Sequence, residues 1–87
     1  MMNRGAIALR LRLSKRGARS RLAESLDLDL AIVSHWLSGD RRPDAKNRAR
    51  IEDGWQIPWR SWDDDVTPED VPVVEKELRA FHAPPEP

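Results

Sequence analysis

The chain has 87 residues, no cysteine, and 15 Lys/Arg against 15 Asp/Glu. That length supports one small core, and the lack of cysteine excludes disulfides and zinc–thiolate sites. No apolar run approaches the roughly 20 residues of a membrane span and no signal-peptide pattern opens the sequence, so a cytoplasmic protein is expected.

The balanced net charge conceals an asymmetry. Residues 1–50 hold 12 Lys/Arg and 5 Asp/Glu, whereas residues 51–87 hold 3 and 10. A basic half followed by an acidic one is the pattern of a nucleic-acid surface with an acidic tail. Solvated charge alone explains the acidic half well and the basic half less well, because Arg16, Arg19, Arg41 and Arg42 bracket residues 30–38.

Residues 4–14 alternate Leu9, Leu11 and Leu13 with Arg10 and Arg12, a strand-like pattern. The pairs Ile7/Leu11 and Leu9/Leu13 fall four apart, however, and no turn and second strand follow, so a helix is expected. Lys15, Arg16 and Gly17 break it, and a second helix starts near Ala18, with Leu22, Ala23 and Leu26 on one stripe. Asp27, Leu28 and Asp29 form a turn with Leu28 as its apolar plug. A third helix, 30–38, turns Val33, Trp36 and Leu37 inward and ends at Gly39. Asp29 is placed to cap it and to complement its dipole.

Residues 40–43 read as a loop. Asp44 is the expected N-cap of a fourth helix from Ala45 to about Asp53, with Ile51 and Trp55 inward. Pro58 suits the first turn of a short fifth helix, 59–62. Of its clustered tryptophans, Trp55 and Trp62 are expected in the core and Trp59 half-exposed, at a dimer contact. Asp63, Asp64 and Asp65 read as a boundary. Asp70 and Pro72 then open a last helix, about 71–82, whose stripe of Val71, Val74, Leu78 and Phe81 must pack on its own domain or on a partner chain. Residues 83–87 are expected to be disordered.

The run Leu22, Ala23, Leu26, Leu28, Val33, Ser34, His35, Trp36, Leu37, Ser38, Gly39 resembles the lambda-repressor/Cro-like (XRE-type) family of helix-turn-helix DNA-binding regulators. The likeness continues through Arg42, Pro43, Asn47, Arg48, Ile51, Glu52, Ile57, Pro58 and Trp62, covering roughly residues 17–63. Three positions depart from it. Asp27 stands where the family usually has a turn glycine, Asp29 where it prefers Ser or Thr, and Leu30 where Gln often reaches the DNA.

The resemblance implies an all-α fold, a compact five-helix lambda-repressor-like domain over 1–62. The residues beyond it add an acidic linker, an additional C-terminal amphipathic helix (about 71–82) and a Pro-rich end over 63–87. It implies a sequence-specific regulator of transcription, repressor or dual, that inserts helix 30–38 into the major groove of double-stranded DNA. A dimer on a palindromic operator is expected, since one module buries little surface. Short members of the family are often bacterial, phage, plasmid or mobile-element regulators, antitoxins among them.

Candidate base readers are Ala31, Ser34, His35 and Ser38, small or hydrogen-bonding groups on the outer face of the third helix, with Asp29 and Leu30 at its start. His35 sits where the family makes a base or phosphate contact. Candidate phosphate binders are Gly17, through backbone N–H groups at a helix start, with Arg19, Arg41 and Arg42. Lys15, Arg16, Lys46 and Arg48 rank second. Candidate dimer or partner contacts are Trp59, Val71, Val74, Leu78 and Phe81.

No phosphate loop, acid/base pair or activated nucleophile is visible, so an enzyme is not expected, nor a cofactor or a metal. The run 63–65 and the pair Glu69/Asp70 read as solvated acids rather than a cation site. The competing reading keeps the scaffold as a protein-interaction module, antitoxin or adaptor, with weak or no DNA binding.

Overall fold

The computed structural model describes residues 1–82, the side chains of Phe81 and His82 excepted. The expectation for residues 83–87 and the placement of Phe81 on the apolar stripe lie outside it. The described chain is mostly helical: α1 (Arg4–Arg12), α2 (Ala18–Ser25), α3 (Leu30–Ser38), α4 (Ala45–Trp55), a 3₁₀ turn (Trp59–Asp63) and α5 (Val71–His82). Two short strands, β1 (Met2–Asn3) and β2 (Asp65–Val66), pair antiparallel with Met2 opposite Val66 and Asn3 opposite Asp65.

The alternating leucines and arginines of 9–12 belong to a helix, with Leu13 as its C-cap. Gly5, Ala6, Ile7, Ala8 and Leu9 are all buried, so α1 runs through the middle of the molecule with α3, α5 and the 3₁₀ turn packed on it. Its arginines leave the core by reaching to neighbouring helices: the Arg10 Nε–H donates to the Leu37 carbonyl at 2.8 Å. Asn3 is fully buried because it does two jobs. It pairs in β1, and its Oδ1 accepts from the Ala6 N–H at 2.8 Å to cap α1.

Between α2 and α3 the turn is tight. The Leu26 N–H donates to the Leu22 carbonyl and the Leu28 N–H to that of Ala23. Asp27 takes a left-handed conformation, φ +55°, at the position where the resembled family carries glycine. Gly39 closes α3 at φ +84°, and a side chain there would also press on the Met1 carbonyl, 3.0 Å from an ideal β-carbon. Helix α4 runs to Trp55, past the expected end near Asp53, because Gln56 supplies the left-handed stop at φ +59°.

One expectation is corrected. The aspartates at 63–65 do not mark a linker: Asp65 and Val66 form β2, and the Arg4 N–H donates to the Asp64 carbonyl at 2.8 Å. The described part of the α5 stripe, Val71, Val74 and Leu78, packs within this chain, and α5 lies against α1. Leu78 is buried there and Val71 and Val74 pack on the same core, while Arg4 pairs with Glu77. Residues 63–82 therefore share one core with residues 1–62. Trp62, Ile7, Leu9, Leu22, Ile51, Ile57 and Val33 are its largest fully buried side chains. Trp55 is half-buried, and Trp59, at 40% exposure, is half-exposed. Among the described residues no helix is long and apolar enough to cross a membrane.

Candidate nucleic-acid interface

Helix α3 is amphipathic around a narrow buried stripe. Val33, Trp36 and Leu37 are buried at three- and four-residue spacing, which leaves Ala31, Ser34, His35 and Ser38 exposed along one side. Asp29 and Leu30 are exposed at its start, Leu30 by 44%. All six candidate base readers thus lie on accessible surface of one short element.

Their hydrogen-bonding capacity is not equal. The Asp29 Oδ1 accepts from the Ala31 N–H at 3.2 Å, so this carboxylate serves as the N-cap. The Ser38 hydroxyl donates to the His35 carbonyl at 3.0 Å and accepts from the Asp40 N–H at 3.3 Å, which occupies it in closing the helix. The Ser34 hydroxyl and the His35 Nε2 have no hydrogen-bond partner among the described residues. The His35 Nδ1 lies 3.5 Å from the Asp40 Oδ2, a contact that is ionic only when the ring is protonated.

Most cations of the basic half fall into two groups. One group holds the fold together: Arg4 pairs with Glu77, Arg10 bonds the end of α3, and Arg12 donates to the Gln56 Oε1 at 3.2 Å. Arg48 belongs here too, although it ranks among the phosphate candidates by sequence. Its side chain is only 12% exposed. Its Nε–H donates to the Pro43 carbonyl at 2.9 Å, and its guanidinium lies 5.7 Å from the Trp59 ring centroid. The other group is surface charge. Lys15, Arg16, Arg19, Arg41 and Lys46 are exposed and take part in no ion pair among the described residues. Gly17 is exposed as the N-cap of α2, in left-handed conformation at φ +81°.

Arg42 stands apart from both groups. It is on the surface, yet its Nη1 lies 3.2 Å from the Asp63 Oδ1 and its Nη2 2.5 Å from the Asp65 Oδ1. Asp63 also holds Arg48, through contacts of 2.9 and 3.2 Å. The Arg48 hydrogen bond, more than any other cause, keeps the Asp63 carboxyl below its ordinary pKa of 3.8, with Arg42 adding to the effect. Sequence reasoning missed these aspartates as partners because a run of three acids reads as solvated linker. It also passed over Arg21, an exposed cation on α2 outside every ion pair among the described residues.

Of the partner residues expected on α5, Leu78, Val71 and Val74 pack within the chain; among the candidate partner contacts with described side chains, Trp59 is the most exposed. No metal-ligating cluster occurs among the described residues. No family model, no curated protein and no solved structure matches this chain.

Proposed function

We propose that this protein is a sequence-specific, double-stranded DNA-binding regulator of the lambda-repressor/Cro-like kind, which lays α3 in the major groove. One observation carries the reading. A nine-residue helix, entered through a tight left-handed turn, hides Val33, Trp36 and Leu37 and exposes Ala31, Ser34, His35 and Ser38. Small side chains allow the backbone close approach to base edges, and Ser34 and His35 supply hydrogen bonds. Lys15, Arg16, Arg19, Arg41 and Lys46 supply phosphate contacts, which set register without reading sequence.

A dimer on a two-fold site, acting as a repressor, completes the proposal, with Trp59 in place of the α5 stripe as the contact. Exposed Leu30 supports the second reading, a protein-interaction module, since an apolar group at the helix start suits a protein groove as well as a thymine methyl. Titration with mixed-sequence duplex at rising salt separates the two. A DNA binder loses affinity log-linearly with salt, and a selection from random DNA then yields one enriched motif. A titration flat at every salt, with no enriched motif, overturns the DNA reading.

A further inference from the structure

Resting on the DNA-binding reading, we infer that Asp63 and Asp65 form an internal phosphate mimic that occupies Arg42 in the free protein and must yield before Arg42 can grip DNA. Each terminal nitrogen of Arg42 meets a different carboxylate, Nη1 that of Asp63 and Nη2 that of Asp65. A guanidinium fork presents its N–H groups to two phosphodiester oxygens in a similar way. The two ligands therefore compete for one side chain.

The clamp is anchored from behind. Asp63 is gripped by Arg48, which is nearly buried and fastened to Pro43. Asp65 is held in β2 by its pairing with Asn3. Arg42, 38% exposed, is the movable partner. The loop that carries it is tied to α3, since the Arg41 N–H donates to the His35 carbonyl at 3.3 Å. Exposed Arg41, in no ion pair among the described residues, sits beside masked Arg42. Loose encounters with DNA are thus met by Arg41, and Arg42 is released only where a phosphate approaches closely enough to displace two carboxylates. The device lowers affinity for DNA on which α3 is not seated.

The test compares Asp63→Asn/Asp65→Asn with Asp64→Asn/Glu69→Gln. Both make the same charge change in the same segment, but Asp64 and Glu69 are in no ion pair among the described residues. Binding to a 20-base-pair mixed-sequence duplex is measured from 20 to 200 mM salt. Opening the clamp should tighten binding about three- to fivefold at the lowest salt and steepen the salt slope by about 0.9. The control should stay within about twofold of wild type. Adding Arg42→Ala should abolish the gain. Equal effects of the two pairs, or a gain that survives Arg42→Ala, overturn the clamp and leave the DNA reading intact. If no protein in the set binds duplex at 20 mM salt, the DNA reading itself falls and the clamp with it. Asp65→Asn alone, which leaves the Asp63–Arg48 pair in place, should give a smaller gain of the same sign. It decides the matter if the double variant unfolds.

Discussion

Gly5 and Trp62 fit together only because residue 5 has no side chain: a β-carbon there would lie 2.5 Å from the Cδ2 of the indole and 2.6 Å from Cε3. Trp62 is fully buried, so its ring has nowhere to retreat. Alanine favours a helix over glycine by about 1 kcal/mol, while overpacking a close-packed site costs about 1–3 kcal/mol or more. A contact of 2.5 Å belongs at the upper end of that cost, so Gly5→Ala should be destabilising by about 1–2 kcal/mol net. Thermal melts should show a midpoint several degrees lower; an unchanged or higher midpoint refutes the packing argument.

Asp27 gives the opposite expectation. Its φ of +55° is a left-handed conformation that costs residues with a β-carbon more than glycine. The side chain is exposed, so nothing is lost from the core by removing it. Asp27→Gly should stabilise the chain by about 0.5–1 kcal/mol, and Asp27→Val should destabilise it, since a branched β-carbon tolerates this region least. Urea midpoints of the two variants should fall on opposite sides of wild type.

Removing residues 63–87 is a test of folding before it is a test of binding. It strips β2 from β1 and takes buried Val66 and Leu78 out of the shared core. Leu78→Ala alone should cost about 2–5 kcal/mol, a large share of the stability of a domain this size. The chain cut after Trp62 should accordingly lose cooperative unfolding. A sharp melt from that truncated chain would show that residues 1–62 fold without the acidic segment.

Helix α3 and the caps around it are legible in the sequence because their chemistry is local. Asp29 and Gly39 bound α3 and Asp44 opens α4, each acting within a few residues of its own position, and the spacing of Val33, Trp36 and Leu37 is helical. The β1–β2 pair has no such signature, because two-residue strands carry no alternation and their partners stand more than 60 positions apart. The division of the cations was hidden for the same reason. Arg42 and Arg48 are set apart from Arg41 by groups that the fold carries to them, Asp63 and Asp65 for Arg42, Asp63 and the Trp59 ring for Arg48. The exposed side of α3 was readable because burial there is decided within the helix.

Asp63 gives the stability of the fold a dependence on pH. Its carboxyl is held below the ordinary 3.8 chiefly by the hydrogen bond from Arg48. A carboxyl depressed in the folded state contributes stability that is fully present above the unfolded value and is lost as pH falls through the folded one. Wild type should therefore exceed Asp63→Asn in stability at pH 6, and the difference should shrink as pH falls below about 3.8. Urea denaturation at pH 6, 4 and 2.5 measures it. A difference that persists undiminished at the lowest pH would mean that something other than the ionised carboxylate is responsible.

The two sides of α3 should separate stability from sequence reading. Leu37 is buried, so Leu37→Ala should cost about 2–5 kcal/mol and weaken DNA binding only through unfolding. His35 is exposed and contributes nothing to the core, so His35→Ala should melt within about 0.5 kcal/mol of wild type. In a selection from random DNA it should relax preference at one base position per half-site, where a good contact is worth about 1–3 kcal/mol. Arg41→Ala should behave differently from both, weakening all sequences alike and lowering the salt slope by about 1. Read together, the three variants distinguish core, reader and phosphate contact. Should His35→Ala melt early while its base preference stays intact, the histidine is structural and the face assigned to the DNA is wrong.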